Sequence, residues 1–239
     1  MKIDTSELTD TFPDFRVAIV VADDLSIASE RPDDLDAEID RREAEARKQW
    51  DGHELSAIPG IAVWRRAYRL FGVKKTSYRC SVERLMKNAL AERALPQINS
   101  FVDTYNAISL THVFPCGADD LDQVAGDIAF RFARPGDSFQ DMSGSAESGP
   151  RENPPKDGEV VYADQEKILC RRWNWRQDAR SLVGAGTGRA VITLQCNGEG
   201  DLEAAVADLL DLLVRFSDAK CAVTIADHLN PVVPLEMPI

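Results

Sequence analysis

Leu95 to Leu110, LPQINSFVDTYNAISL, is the segment around which the fold of this chain is organised. Asn99, Asp103 and Asn106 recur at four- and three-residue spacing, which places them on one face of an α-helix, while apolar residues occupy most other positions. These two amides and one carboxylate need partners, because an unpaired buried polar group costs about 1–3 kcal/mol. The polar face therefore either cross-links the backbone of adjoining loops or lines a pocket.

The length and composition of the chain allow a sizeable core. With 239 residues, 44% of them hydrophobic, it can form one large domain or a compact domain with an extra layer. The most apolar stretch near the beginning, Phe15 to Ala22, is far too short to cross a bilayer. Met1 to Pro13 carries acidic residues where a signal peptide carries basic and then apolar ones. We therefore expect a cytoplasmic protein that does not associate with membranes.

Cysteine and histidine residues are scattered along the chain. The five cysteines, at positions 80, 116, 170, 196 and 221, include no pair with the spacing of a metal knuckle or a redox motif. The three histidines, His53, His112 and His228, form no metal-binding pattern either. This distribution predicts reduced, mostly buried thiols and no bound metal or other cofactor.

The net charge of −12 argues against nucleic acid as a partner, but the charges are unevenly placed. Residues 1–57 hold 16 acidic and 7 basic residues, whereas residues 65–87 hold 8 basic residues and one acid, Glu83. Residues 171–189 add 5 arginines against one aspartate. Two basic segments in an acidic chain are typical of a polyanion footprint, and pairing with the acidic N-terminal region is the alternative interpretation.

Hydrophobic periodicity predicts both strands and helices. Strands are expected at 15–21, 128–132, 159–163 paired with 166–172, 190–196 and 221–225, and helices at 37–50, 61–71, 82–90 and 201–220. Asp201 is suited to cap the last of these helices, and residues 118–122 are expected to form a short helical turn. Strands and helices do not alternate strictly, which predicts an α+β fold or a layered β/β/α arrangement.

Composition divides the chain into two parts. Residues 1–57 are expected to supply an acidic N-terminal strand and an exposed helix packed on the core, and residues 58–239 the main domain. Residues 135–158 include 4 glycines, 4 prolines and 4 serines. Loops of this length are lids, binding loops or disordered segments, and we expect a mobile one here.

Arg171 to Arg176, RRWNWR, is the densest group of candidate binding residues. Arginine donates paired hydrogen bonds to phosphate, tryptophan offers a stacking face, and asparagine can bond a polar edge. The same run also fits a strand that directs Arg172, Asn174 and Arg176 outwards and the two tryptophans inwards. The two interpretations are compatible.

Other parts of the sequence carry weaker signals. The glycines at 184, 186 and 188 would let a ligand approach the backbone, although an ordinary turn between strands explains them equally well. The sequence has no nucleophile elbow, phosphate-binding P-loop, dinucleotide fingerprint or H-E-x-x-H motif. An enzyme with this sequence would therefore act by positioning and hydrogen bonding.

An ordered series of motifs resembles a known family. RCSVERLMKNAL, LPQINSFVDTYNAISL, GADDLD, GEVVYAD and RRWNWR, followed by Thr187, look like the stand-alone B3/B4-domain proteins, relatives of the B3/B4 region in the β subunit of bacterial phenylalanyl-tRNA synthetase. The match runs from Ile58 to the C-terminus. In the synthetase this domain hydrolyses tyrosine wrongly esterified to the tRNA. The resemblance thus implies a layered β/β/α scaffold that binds tRNA and edits aminoacyl-tRNA.

The resemblance reaches single positions and shows two differences. The synthetase's N-x-x-V-D-x-x-N segment is matched by Asn99, Val102, Asp103 and Asn106. Its P-L-H-A-F-D segment is similar to residues 115–120, with Gly117 in place of the histidine of the editing pocket. Its glycine-rich segment, followed by the glutamate that recognises the tyrosine hydroxyl, falls on the RRWNWR run. Tryptophan and arginine there imply a pocket that is smaller or differently charged than a glycine-lined one.

The family resemblance implies a free-standing aminoacyl-tRNA editing hydrolase that deacylates a mischarged tRNA, with water as the nucleophile. A non-catalytic protein of this fold that binds tRNA or an aminoacyl group is the alternative, and a small-molecule binding protein without an RNA role is a third possibility. The expected partner is the aminoacylated 3′ end of tRNA, and no DNA partner is expected.

No residue is singled out as catalytic by the sequence. The substrate pocket is expected to include Asn106, His112, Gly117, Trp173, Asn174, Arg176 and Thr187. Asn99 and Asp103 are expected to form a structural polar network that anchors loops. Contacts to RNA phosphates are expected from Arg65, Arg66, Arg69, Lys74, Lys75, Arg79, Arg171 and Arg172.

Overall fold

Helices and strands occur in mixed order along the chain, whose computed structural model describes residues 1–74, 77–142 and 151–238. The helices in these ranges are α1 (Asp33–Gln49), α2 (Pro59–Leu70), α3 (Ser81–Leu90), α4 (Ser100–His112) and α5 (Leu202–Ser217). The strands are β1 (Lys2–Asp4), β2 (Phe15–Asp23), β3 (Cys116–Asp120), β4 (Ile128–Phe132), β5 (Gln140–Asp141), β6 (Arg151–Glu152), β7 (Val160–Ala163), β8 (Ile168–Arg171), β9 (Arg176–Gln177), β10 (Ala190–Asn197), β11 (Lys220–Ala226) and β12 (Val232–Pro234). The predicted α+β class is confirmed.

The middle layer is an antiparallel four-stranded sheet with the order β11–β2–β10–β3. Nearly all residues of β2 and β10 are buried, on both faces of the sheet. A strand buried on both faces must lie between two covering layers. Helices α4 and α5 pack against β3 and β10 and supply one of these layers.

The other cover is a six-stranded sheet with the order β12–β1–β4–β7–β8–β9. Strand β1 runs parallel to β4, and the remaining neighbours are antiparallel. The two sheets meet through aromatic rings, with the centroid of Phe15 on β2 lying 5.3 Å from that of Phe130 on β4. This packing completes the layered β/β/α arrangement.

The N-terminal segment contributes to both sheets. Strand β1 lies between β12 and β4, and β2 lies between β11 and β10. Helix α1 is half-buried, with Leu35, Ile39 and Ala46 in the core, whereas its composition predicts an exposed helix. Its buried polar residues have partners. Glu43, for example, accepts a hydrogen bond from the backbone N–H of Leu95 at 2.6 Å. The division of the chain after residue 57 stays a prediction.

A cluster of charged side chains ties α1, α4 and α5 together. Arg42 donates hydrogen bonds from both terminal nitrogens to Asp208, at 2.6 and 2.7 Å. His112 Nε2 lies 2.8 Å from Asp208 Oδ2. Burial acts to raise the pKa of Asp208, but the hydrogen bonds from Arg42 and His112 outweigh it and hold this pKa well below its usual range.

Replacing Asp208 by asparagine is expected to lower the free energy of unfolding by about 2–3 kcal/mol at pH 7, because Arg42, only 5% exposed, loses one of its two charged partners and keeps only Glu38, at 2.7 Å. A carboxylate with a lowered pKa stabilises the fold above its unfolded-state pKa near 3.8, and that contribution fades as the pH falls further. The difference between the two proteins should therefore shrink below about pH 4. Urea unfolding across this pH range measures it, and Asp211→Asn on the exposed side of α5 is the control.

Helix α4 is the organising segment of the sequence, and its start is fixed by a side-chain cap. Asn99 Oδ1 accepts a hydrogen bond from the backbone N–H of Val102 at 2.9 Å, which satisfies one of the free donors of the first turn. The helix ends at His112, and the backbone of the following residue, Val113, is left-handed with φ of 57°. Residues 95–98 of the predicted segment precede the helix, so the helical part is shorter than the pattern suggests.

Two local predictions are corrected. Residues 118–122 are not a short helical turn: Cys116–Asp120 is a strand paired with β10, and only Leu121–Gln123 forms a 3₁₀ turn. Pairing with a distant strand outweighs the turn-forming tendency of the acidic residues. The expected long loop 135–158 contains β5 and β6, which pair with each other, and its positions 143–150 lie outside the described residues.

Among the described helices, none has the length and apolar character to cross a membrane.

Candidate functional site

A cleft opens between α4, β3, β10 and the turn that joins β8 to β9. Its inner chamber, about 190 Å³, is lined by residues of all four elements, including Asn106, Gly117, Asn174 and Gln195. Its outer chamber, about 460 Å³, adds Arg84, Asp141, Met142, Leu182 and Val183. The chambers form one cleft because they share Ile98, Val102, Tyr105, Trp175, Arg176 and Gln177.

Four of the predicted pocket residues line this cleft: Asn106, Gly117, Asn174 and Arg176. The side chain of Asn106 makes no hydrogen bond with any described residue. Gly117 faces Thr193 across the β3–β10 pair, and a Cβ atom placed on it would have no atom within 4 Å. Position 117 therefore borders open space in the inner chamber.

The other three predicted pocket residues lie elsewhere, which corrects the prediction. His112 faces Asp208 on the far side of α4. Trp173 is fully buried in the core, where its ring contacts Phe12, Phe15, Trp64 and Phe71. Thr187 donates a hydrogen bond to Asp120 at 2.8 Å, which attaches the glycine-containing turn before β10 to the end of β3. Sequence spacing could not separate these residues from the pocket, because each is placed by a partner far along the chain.

The turn at residues 172–175 explains why Asn174 and Trp173 separate. Arg172 and Trp173 have left-handed backbones, with φ of 48° and 65°, which costs about 1–3 kcal/mol at each non-glycine residue. The turn is held by hydrogen bonds from Trp173 N to Val160 O at 2.6 Å and from Ser81 N to Asn174 O at 2.9 Å. It directs Trp173 into the core and Asn174 into the cleft. The interpretation of this run as an alternating strand is therefore wrong.

A row of polar side chains crosses the wall of the inner chamber. Tyr68 donates to Asn174 Oδ1 at 2.9 Å, Asn174 Nδ2 donates to Gln195 Oε1 at 3.0 Å, and Gln195 Nε2 donates to Thr193 at 3.2 Å. Each hydrogen bond fixes the orientation of the next amide. A donor that bonds the oxygen of an amide leaves the nitrogen of that amide directed at the next residue in the row. The row presents amide and hydroxyl groups in a fixed arrangement.

Asp119, on β3, also lines the inner chamber, although it is not among the pocket residues predicted from the sequence. Its Oδ1 accepts hydrogen bonds from Ser181 Oγ at 2.6 Å and Gln177 Nε2 at 2.9 Å. Burial raises the pKa of Asp119 to about 7, against the lowering effect of these two hydrogen bonds. The only sequence signal for Asp119 was its spacing from Gly117. Residues two apart in a strand lie on the same face of the sheet, so Asp119 shares the face of Gly117.

The thiols in the cleft are not activated. Cys116 and Cys170 line the inner chamber, and all five cysteines of the chain are free. Burial raises the pKa of Cys116 to about 12 and raises that of Cys170 further still. Because the thiolate is the nucleophilic form, both side chains are unreactive at neutral pH.

Next to the cleft lies a basic surface between α2 and α3, formed by Arg65, Arg69, Lys74 and Arg79. Arg65 and Arg79 both donate to the buried carboxylate of Glu83, at 2.7 and 2.8 Å, so one negative charge offsets two positive ones. Arg69 and Lys74 are exposed. Arg66 is exposed too, but it borders a separate groove beside Phe12 and Asn197. Lys75 lies outside the described residues.

Arg171 and Arg172 are not part of this surface, which corrects their expected role in binding phosphate. The side chain of Arg171 is 2% exposed and donates two hydrogen bonds to Glu159, at 2.9 and 3.1 Å. Arg172 is 5% exposed, lies 3.3 Å from Glu159, and stacks on the rings of Tyr78 and Trp175. Both guanidinium groups brace the turn from inside, so they are out of reach of a bound RNA.

The predicted polar network occupies the rim of the cleft. Asn99 Nδ2 donates to the carbonyl of Val183 at 3.2 Å. Asp103 accepts from Arg31 Nε and from the backbone N–H of Ile98, both at 3.0 Å. These contacts attach the start of α4 to the strand-connecting segments around it. Their role in function stays a prediction.

The arrangement as a whole can bind a ligand by hydrogen bonds and hold a water molecule, but it contains few groups for covalent chemistry. Of the residues that the structure describes, no histidine lines either chamber. Within the same described ranges, no three or more histidine, cysteine or acidic side chains are close enough together to hold a metal ion.

Comparison with known proteins places this α+β domain, with its polar cleft and adjoining basic surface, in a family. The model of the family described as the B3/4 domain matches residues 63–199. That range covers more than half of the chain, and the protein belongs to this family. The resemblance seen in the sequence motifs is confirmed. Helices α1 and α5 and strands β1, β2, β11 and β12 lie outside the matched range.

One similar solved structure is an N-terminal fragment of the phenylalanyl-tRNA synthetase β-subunit from Pyrococcus horikoshii. The sequence identity is 14% and the TM-score 0.40, over 53% of this chain and 43% of that chain. This chain therefore spans less than half of the length of that fragment. No curated protein matches.

Proposed function

We propose that this B3/4-domain protein has a tRNA-related role, in which the cleft binds the aminoacylated end of a tRNA and the ester of a mischarged amino acid is hydrolysed. The observation that carries the proposal is the cleft itself. It combines an open inner chamber at Gly117 with the fixed polar row of Asn174, Gln195 and Thr193. A basic surface with two exposed cations, Arg69 and Lys74, lies beside it.

Hydrolysis in such a cleft relies on positioning. Ester cleavage needs a held water molecule and hydrogen-bond donors for the negative charge that develops on the carbonyl oxygen. The amides of Asn106 and Asn174 are the donors we assign to these tasks, since both line the inner chamber. Water is the nucleophile in the proposal, because the thiols of the cleft are protonated. The proton that the attacking water loses passes to the ester oxygen, which leaves as a hydroxyl of the tRNA.

The experiment that tests this proposal is deacylation of a panel of mischarged tRNAs by the wild-type protein. At least one ester should be cleaved faster than in buffer alone, and the products should be the intact tRNA and the free amino acid. If every ester in the panel decays at the buffer rate, the enzymatic proposal fails.

A non-catalytic binding protein is the second candidate, and one observation favours it. The inner chamber has glycine at the position of the family's pocket histidine, and no described histidine replaces it. Such a protein would bind an amide-linked aminoacyl-adenosine analogue, which lacks a cleavable ester, yet leave the mischarged tRNAs intact. Binding together with turnover would instead support the hydrolase.

Substitution of both Arg69 and Lys74 by alanine is expected to weaken tRNA binding about ten-fold at low salt, because two exposed phosphate contacts are lost. The slope of the logarithm of affinity against the logarithm of salt concentration should fall by about 1–2. Filter binding at several salt concentrations measures both quantities. The control removes Arg215 and Lys220, exposed cations outside the basic surface. An equal loss in the control would mean that tRNA binding depends on net charge alone.

A further inference from the structure

Two polar atoms of residues that line the inner chamber, at what we call its floor, have no hydrogen-bond partner among the described residues. Asp119 is 3% exposed, and both of its hydrogen bonds, from Ser181 and Gln177, go to Oδ1. No donor in the described residues reaches its Oδ2. Tyr162 is 2% exposed and lines the same chamber, and its hydroxyl has no hydrogen-bond partner among the described residues.

Buried polar atoms in folded proteins almost always have a partner, and a buried carboxylate normally pairs with a cation. Lys167 acts on Asp119 electrostatically, but its Nζ already bonds Asp164 and the carbonyl of Gln123, both at 2.6 Å. Arg176, at the mouth of the chamber, is paired with Asp141 at 2.7 Å. Because no described cation pairs with Asp119, we expect a ligand to supply that cation.

The surroundings of this position suit a cation. Tyr105, Tyr162 and Trp175 contribute aromatic rings to the chamber, and aromatic faces attract positive charge. A primary ammonium group carries three N–H donors and no acceptor, so it fits a site that offers a carboxylate oxygen and a hydroxyl oxygen. A carbonyl or an anion offers only acceptors and would face the negative charge of the ionised Asp119 instead.

We propose that the floor of the inner chamber binds the α-ammonium group of the aminoacyl ligand, which donates hydrogen bonds to Asp119 Oδ2 and Tyr162 Oη. This inference rests on the proposed function and deepens it, because it requires an amino acid with a free α-amine. N-acylated amino acids, and hydroxy acids esterified to tRNA, are excluded from the site.

The experiment measures the affinity of three probes by titration calorimetry. The first is an amide-linked analogue of alanyl-adenosine with a free α-amine, the second is its N-acetyl derivative, and the third is an α-N-acetyl-lysyl analogue that keeps only a side-chain ammonium. The first should bind at least ten-fold more tightly than the second, because only the first supplies the charge that pairs with Asp119.

Variants of the full chain connect the discrimination to the two floor residues. Asp119→Asn keeps Oδ1 as an acceptor for Ser181 and Gln177 but removes the charge, so it should bind the first and second probes about equally. Tyr162→Phe should reduce discrimination by a smaller factor and provides a second test if Asp119→Asn folds poorly. The control is Asp122→Asn, an exposed aspartate paired with Arg189 outside the cleft, which should discriminate like the wild type.

Each outcome has a defined meaning. Tight binding that does not depend on N-acetylation would overturn the ammonium site while leaving aminoacyl binding intact. Tighter binding of the third probe than of the first would assign the site to a side-chain amine and overturn its assignment to the α-amine. If none of the three probes binds, the proposed binding of an aminoacyl group fails, and the inference fails with it.

Discussion

Replacing Asp119 by asparagine is expected to raise the free energy of unfolding by about 2–4 kcal/mol at pH 8. Most single substitutions destabilise a protein, so the direction of this effect is diagnostic. Its origin is the burial of a carboxylate that no described cation contacts directly. Asparagine keeps the acceptor for Ser181 and Gln177 and avoids the desolvated charge.

The pH dependence follows from the raised pKa of Asp119. In the unfolded chain this carboxyl ionises near pH 3.8, and in the folded protein near pH 7. Between these values the folded state holds a proton that the unfolded state has lost. The Asp119 contribution to wild-type stability therefore falls as the pH rises from about 4 to about 7 and stays constant above that. The stability of Asp119→Asn should not show this decrease between about pH 4 and about pH 7.

Other groups around Asp119 do not produce the same profile. Lys167 and Asp164 pair with each other, and burial raises the pKa values of Tyr105, Tyr162 and Cys170 above their usual ranges, away from this pH window. Urea unfolding at pH 4, 6 and 8 measures the difference between wild type and variant, with the exposed Asp122→Asn as control. Identical pH profiles for wild type and Asp119→Asn would contradict the buried-charge account.

Asp119→Asn is expected both to stabilise the protein and to abolish the discrimination between the free-amine and N-acetyl probes. Together, these two effects would show that the site binds its ligand at the expense of stability. The same carboxylate that costs folding free energy in the free protein gains a partner when an ammonium group binds. Functional sites commonly carry such residues, because a group fully satisfied within the protein has little to offer a ligand. A stabilising substitution that abolishes discrimination between amine and N-acetyl probes would show this relation directly.

Replacing Trp173 by alanine is expected to lower the free energy of unfolding by about 3–5 kcal/mol, the cost of removing a fully buried aromatic side chain. The centroid of its ring lies 4.6 Å from that of Phe12, 4.9 Å from Phe15 and 5.1 Å from Trp64. The substitution therefore leaves a cavity where the N-terminal segment, β2 and α2 meet. Chemical unfolding measures the loss.

Two variants in the same turn serve as controls. Trp173→Phe should cost less than Trp173→Ala, because it keeps a ring and removes an indole N–H that has no partner among the described residues. Trp175→Ala should cost only about 1 kcal/mol, since Trp175 is partly exposed, but it should weaken ligand binding in the cleft. Equal losses of stability for the two alanine variants would contradict the assignment of Trp173 to the core and of Trp175 to the cleft.

Much of the fold could be predicted because several elements carry their own periodic signal. Helix α5 shows apolar residues at helical spacing, and Asp201 caps it by accepting from Ala204 N at 2.9 Å, as predicted. Strands β2 and β10 are short runs rich in β-branched residues, and both were expected. In these segments, local propensity and tertiary packing favour the same structure.

The parts that could not be predicted depend on distant partners. Strand β3 is a strand because it pairs with β10, and its own sequence, CGADD, has the composition of a turn. His112 is drawn out of the expected pocket by Asp208, 96 residues further along the chain. The arginines of RRWNWR look like a phosphate-binding group, yet Glu159 pairs with Arg171 and lies beside Arg172 inside the protein. A sequence pattern gives the residue types but not these pairings.

The separation of Trp173 from Asn174 shows the same limit at the scale of one turn. Two adjacent left-handed residues, neither of them glycine, are improbable from local preferences. The turn persists because Val160 and Ser81 hold its backbone and because Trp173 fills the core. Family resemblance supplied Asn106 and Gly117, which line the cleft, but it offered no means to select Asp119.

The most direct test of the central claim, that the cleft is the site of the aminoacyl group, is the affinity of the alanyl-adenosine analogue for two leucine variants. At both Gly117 and Gly186 an added Cβ would meet no atom within 4 Å, but only Gly117 lines the inner chamber. We expect Gly117→Leu to weaken binding of the analogue at least about ten-fold while it keeps wild-type stability and affinity for uncharged tRNA, and Gly186→Leu to behave like the wild type. Unchanged affinity of the analogue for a folded Gly117→Leu protein would contradict the account.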